Sequence, residues 1–169
     1  MEVLKSNYIV ENIESFSIER VSVGAVLWVL HADKVPPHIG VSIDGRFFSL
    51  KANGKDMAVP VQHLLEIVDR RGIALLCFSL NDLLSEEAVR NSFSPYDKTI
   101  PNKVTCLNPI KTVLGDRQSG KLVELLASLD KARRIKSVYG LNIPVEFEGI
   151  KRYDVADIHA RLSLLNESL

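Results

Sequence analysis

Residues 38–50 (HIGVSIDGRFFSL) contain two short β-prone runs joined by Asp44-Gly45. An Asp-Gly pair in that position is the strongest short-range hairpin signal, because a type I′ turn needs positive φ at both central residues. It predicts an antiparallel pair early in the chain, and the remaining elements must be built onto that sheet. Residues 25–31 (AVLWVLH) form a continuous apolar run of strand length, the pattern of a strand covered on both faces. Residues 73–80 (IALLCFSL) predict a second buried strand.

Asn53-Gly54-Lys55-Asp56 reads as a loop. Residues 60–71 (PVQHLLEIVDRR) place Val61, Leu64, Leu65 and Val68 on one helical stripe, with Pro at the start and Gly72 at the end. A short helix over residues 81–91 would open on an Asn or Asp cap, and residues 92–103, with Pro95 and Pro101, read as an exposed connection. Residues 119–136 predict the longest helix, from Leu122, Leu125, Leu126, Leu129 and Ile135 at helical spacing. A strand is expected over residues 145–147 and an amphipathic helix over residues 155–165. Together these predict a single α+β domain over residues 1–169, with hairpins first and helices later.

Composition narrows the functional classes. Twenty-one basic residues balance twenty-one acidic ones, and the halves 1–85 and 86–169 sum to only −2 and +2. No nucleic-acid partner is expected, since phosphate neutralisation needs a basic excess. The two cysteines, Cys77 and Cys106, can supply neither a disulfide framework nor a four-cysteine zinc site. The thiol count points to a reduced setting. No stretch of 18 apolar residues and no secretory leader is visible, so a cytoplasmic chain without a membrane span is expected.

The candidate chemistry begins at His38. A histidine at the mouth of a strand, followed by Ile39-Gly40-Val41, is held on a rigid element in a way that suits a general base. Later, Cys106 sits in Thr105-Cys106-Leu107-Asn108-Pro109, a segment that can open a helix. A helix N-terminus favours thiolate over thiol, and a nearby imidazolium would add to that. Two boundaries are open. Thr105 can cap, making Cys106 the first helical residue and Pro109 the fourth; or Asn108 can cap with Pro109 first, leaving Cys106 two residues outside.

The order Gly24, apolar strand, loop, His-aliphatic-Gly-aliphatic, turn and aromatic strand, followed later by cysteine, resembles the histidine hairpin of a papain-like group. That group is the circularly permuted one containing NlpC-type cell-wall amidases and lecithin:retinol acyltransferase. The resemblance covers residues 21–50 and, more loosely, residues 104–114. It implies a small antiparallel sheet with packed helices, and a cysteine peptidase, amidase or acyltransferase acting on an amide or ester. It further implies Cys106 as nucleophile, His38 as acid/base and Ser49 as the residue that orients the imidazole. Peptides, peptidoglycan fragments or lipids are the implied substrates, with no cofactor. Ser49 stands where the group usually has a stronger polar partner, which leaves open a non-catalytic binding or accessory module with a degenerate site.

Other motifs are weaker. Cys77 lies in an apolar strand and reads as a core residue. His31, His63 and His159 are assigned to no site, and His31 with His38 and a cysteine matches no familiar zinc spacing, so no metal is expected. Gly115-Asp116-Arg117-Gln118-Ser119-Gly120-Lys121 has Walker-type spacing, but Leu122 stands where a Ser or Thr should hold Mg²⁺. An inter-element turn is the preferred reading. The basic run at residues 131–136 reads as a solvated helix end.

Overall fold

The computed structural model describes residues 7–153. Seven strands are described: β1 (Ile13–Ser15), β2 (Ala25–Leu30), β3 (His38–Ile43), β4 (Arg46–Lys51), β5 (Gly54–Pro60), β6 (Leu75–Leu80) and β7 (Ile135–Leu141). They form one sheet in the order β1-β7-β6-β2-β3-β4-β5, antiparallel throughout except for the parallel β1–β7 edge. Among the described residues five helices pack around it: α1 (Ile18–Val21), α2 (Val61–Arg71), α3 (Glu86–Phe93), α4 (Leu107–Leu114) and α5 (Leu122–Lys131). The domain is therefore mixed α+β.

The expected hairpin is present, with Asp44 at φ 45° and Gly45 at φ 81°. The Asp44 carboxylate also accepts the Gly24 N–H at 2.8 Å, tying the turn to the entrance of β2. β2 occupies the middle of the sheet and is buried at every position. Its period of two divides the core cleanly. Ala25, Leu27 and Val29 join Ile39, Val41, Phe48, Leu50, Leu76 and Phe78 under α3, α4 and α5. Val26, Trp28 and Leu30 join Phe47, Leu75 and Cys77 under Val61 and Val68 of α2. These two sides are the three-helix face and the α2 face.

Because β5 and β6 run the same way, α2 is a crossover that carries the chain past three strands before β6 pairs with β2. Its stop is the expected one, Gly72 at φ 62°. On the α2 face Trp28 Nε1 donates to the buried Ser42 Oγ at 2.8 Å, and the Trp28 and Phe47 rings meet edge-on at 5.8 Å. Gly40 is required here, since a Cβ on it would run into the Phe47 ring and lie 2.8 Å from the Phe48 carbonyl.

Several expectations are corrected. Residues 53–56 are not simply a loop: Gly54 opens β5, an edge strand carried to Pro60 by pairing with β4. An edge position tolerates the Gly and Pro that argued against a strand. The helix before residue 94 is α3, capped by Ser85, whose Oγ accepts the Ala88 N–H, rather than by Asn81 or Asp82. The connection after it is partly enclosed, with Thr99 buried. The predicted longest helix breaks at Ala132, and Ile135 belongs to β7; α2, at 11 residues, is longer than α5 at 10. No strand forms over residues 145–147, where Phe147 N–H closes a turn on Pro144 O. The helix expected over residues 155–165 lies outside the described residues.

Candidate functional site

The start of α4 is built by Thr105. Its Oγ1 accepts the Leu107 N–H at 3.2 Å while Asn108 Oδ1 accepts the Thr105 N–H at 2.7 Å, a reciprocal box that uses Asn in place of the usual Glu. Cys106 follows the capping side chain with helical φ −61° and ψ −16°. Pro109 has no N–H to give the Thr105 carbonyl, and Asn108 N–H supplies that bond instead at 3.2 Å. Neither sequence alternative is formed as stated: α4 begins at Leu107 with Cys106 at its N-cap position, and the Thr105 hydroxyl serves the Leu107 N–H from one residue further out.

Cys106 packs against the three-helix face. The N–H of Ile39, on β3, is directed at the sulfur, as is the Cys106 N–H. Burial has the largest influence on the thiol and pushes its pKa up; the two amides favour thiolate but do not overcome it. Tyr153 is buried beside this thiol, with its hydroxyl facing the N–H of Leu122, the first residue of α5. Burial first, and the Cys106 charge second, hold the Tyr153 hydroxyl protonated far above its ordinary range. Neither Tyr153 nor the Ile39 amide stands out in the sequence, because both reach Cys106 only through long-range packing.

The other two sequence candidates stand on β3 and β4. His38 pairs with Leu30, and residues directly opposite in a ladder share a face. Leu30 belongs to the α2-face core, whereas the next residue, Ile39, belongs to the three-helix core. The His38 side chain therefore leaves β3 on the α2 side, while the Cys106 sulfur meets the N–H of the peptide that joins His38 to Ile39. Ser49 pairs with Gly40 and lies on the His38 side. Its fully buried hydroxyl donates to Asp56 Oδ2 at 2.9 Å, and Asp56 Oδ1 meets Lys51 Nζ at 3.1 Å. Strand parity thus puts His38 and Ser49 on one side of the sheet, and the Cys106 sulfur lies at the peptide between His38 and Ile39. Cys77 is a core residue of β6, fully buried, with burial raising its thiol pKa well above the ordinary value.

The Walker-type segment follows a helix, not the strand that a phosphate loop requires. Gly115 ends α4 at φ 72°, and the Asp116 carboxylate accepts the Gln118 N–H at 3.0 Å, the Ser119 N–H at 2.8 Å and the Ser119 hydroxyl at 2.7 Å. Glu124 takes the Gly120 N–H at 3.0 Å. The amides that would cradle a phosphate are held by the chain's own carboxylates. Burial works against the charge on Asp116, but the Ser119 and Gln118 bonds, with Lys111 nearby, outweigh it and hold the carboxyl below its usual range. Close by, Arg134 binds Asp82 through Nε and Nη2 at 3.1 and 2.6 Å and donates to the Leu114 carbonyl at 2.8 Å.

Among the described residues no group of three or more His, Cys, Asp or Glu is placed to hold a metal, and no helix is long and apolar enough to cross a membrane. Compared with protein-family models, curated proteins and solved structures, the chain matches none of them.

Proposed function

We propose that this chain is a non-catalytic binding or accessory domain in which Cys106 is a packed structural thiol. The observation that carries the reading is the state of the Cys106 thiol, packed against the three-helix core and raised in pKa by burial. A cysteine nucleophile needs an imidazole within hydrogen-bond reach and a lowered pKa, whereas burial raises this one. Ser49 fits the same reading, its proton being given to Asp56. The test is exposure to p-nitrophenyl acetate near neutral pH, with the intact mass followed. No burst of nitrophenol and no acetyl adduct on Cys106 are expected. A stoichiometric burst, abolished by Cys106→Ser, would overturn the proposal.

A second reading is a papain-like thiol hydrolase or acyltransferase of the permuted kind, favoured by the two amides directed at the Cys106 sulfur. In it Cys106 attacks an amide or ester of a peptide, peptidoglycan fragment or lipid. His38 reaches round the start of β3 as the base, with Ser49 behind it. The burst experiment separates the two readings directly.

A further inference from the structure

The two edges of the sheet are built differently. β5 carries devices against further pairing: a register shift in its ladder with β4, Ala58 at φ 56°, and Pro60, which has no N–H. At the other edge β1 pairs, among the described residues, with β7 alone, and Ile13, Glu14 and Ser15 are all exposed. No proline, lysine or register shift interrupts it. Alternate residues of such a strand turn their N–H and C=O groups away from the sheet, which leaves a template for one more strand.

The surface beside this edge has a definite chemistry. A groove of about 380 Å³ lies where the chain leaves β1 and passes α2, lined by the apolar Phe16, Ile18, Leu65 and Leu141 and by the carboxylates of Glu66 and Asp69. Phe16, Leu65 and Leu141 pack against the α2-face core, and Glu14, paired with Tyr139 of that core, points to the same face. No cation lines the groove. Glu14, Glu66 and Asp69 form no ion pair among the described residues, not even with Arg70 or Arg71 of the same helix. On the opposite face Ile13 pairs with Val138 of the three-helix core and lies with Ile143 over Gly140, yet 36% of its surface stays exposed. The two faces of the edge are therefore acidic with an apolar floor on one side, and apolar on the other.

We propose that β1 and this groove bind an extended segment of a partner protein in which basic residues alternate with apolar ones, added to the sheet as a strand beside β1. Main-chain bonds to the open edge supply affinity, and the alternation of side chains supplies specificity. Basic residues of the added strand fall on the α2 side, their methylene stems on Phe16 and Leu65 and their charges at Glu14, Glu66 and Asp69. The intervening apolar residues fall beside Ile13. A second copy of this chain fits less well, since an antiparallel pair centred on β1 sets Glu14 against its own counterpart. The inference rests on the binding-domain reading and names its partner class.

The full chain is titrated, by fluorescence anisotropy at about 0.15 M salt, against a short labelled peptide of alternating lysine and valine. Two further peptides carry glutamate in place of lysine, or proline in place of the central valine. Saturable binding of the lysine peptide is expected, at least about tenfold tighter than that of either control. The double variant Glu66→Gln with Asp69→Gln, at exposed positions, should weaken it about tenfold. No saturable binding up to about 1 mM overturns the proposal, as does equal affinity for the glutamate or proline peptide or an unchanged affinity in the double variant. Should that variant fail to fold, Glu14→Gln on β1 decides by the same criterion. A chain that sediments as a dimer and leaves the peptide unbound assigns the edge to a second copy and equally overturns the proposal. A reactive Cys106 would refute the non-catalytic reading and leave these titrations unaffected, while failure of the peptide to bind would leave the Cys106 burst experiment unaffected.

Discussion

Leu30 and His38 stand opposite one another at the end of the β2–β3 ladder, and Leu30 belongs to the apolar core under α2. That one pairing decides which side of the sheet the imidazole leaves from. Cys106 packs with the three-helix core, and its sulfur takes the backbone N–H of the next residue, Ile39.

The packing on the α2 face makes Gly40 a sensitive position. Gly40→Ala sets a methyl group against the Phe47 ring and the Phe48 carbonyl, between two paired strands that cannot easily separate. A loss of about 1–3 kcal/mol is expected from overpacking, read as a lowered urea midpoint with unchanged slope. Stability within about 0.5 kcal/mol of wild type would show that the ring moves aside at little cost.

Parity was also the part of the site most nearly legible beforehand. In HIGVSI the apolar residues Ile39, Val41 and Ile43 alternate with His38, Gly40 and Ser42, so the pattern already places His38 opposite the apolar side. What the pattern lacks is which side carries the helix of Cys106, a fact fixed only by the long connections through α3. The Asp44-Gly45 turn, the buried runs of β2 and β6 and the α2 stripe ending at Gly72 were legible because local chemistry determines each of them. β5 and β7 were not. Gly54, Lys55, Asp56 and Pro60 are poor strand formers that the β4 ladder overrides, and Ile135 fits a helical spacing from Leu122 that the turn at residues 132–134 interrupts. The contacts of Tyr153 and Asp56 arise from distant sequence and left no local signal.

Asp116 predicts a pH-dependent contribution to stability. Its pKa is depressed in the folded state, so its stabilisation is full above the unfolded value of about 3.9 and is lost as pH falls through the lower folded value. Asp116→Ala is expected to cost about 1–2 kcal/mol near pH 7, from the loss of three bonds to a partly exposed carboxylate. The gap between the two proteins should close as pH is lowered below the carboxylate range. Denaturant melts at several pH values check this, and a gap independent of pH would remove the charge from the explanation.

Ser49 is expected to behave as a structural donor. Ser49→Ala leaves Asp56 with Lys51 and removes one buried bond, for an expected loss of about 1–2 kcal/mol in thermal or denaturant stability. The rate at which Cys106 is alkylated should not change. A selective fall in that rate with stability preserved would return Ser49 to the role of imidazole orienter.

The central claim is that Cys106 is a packed thiol unassisted by His38. It is tested most directly by the rate of iodoacetamide modification at Cys106 against pH, in wild type and His38→Ala, with Cys77 distinguished by peptide mass. The account predicts slow modification at neutral pH, an inflection above the free-thiol value of about 8.5, and the same profile in both proteins. An inflection below about 7.5 that moves upward in His38→Ala would contradict it.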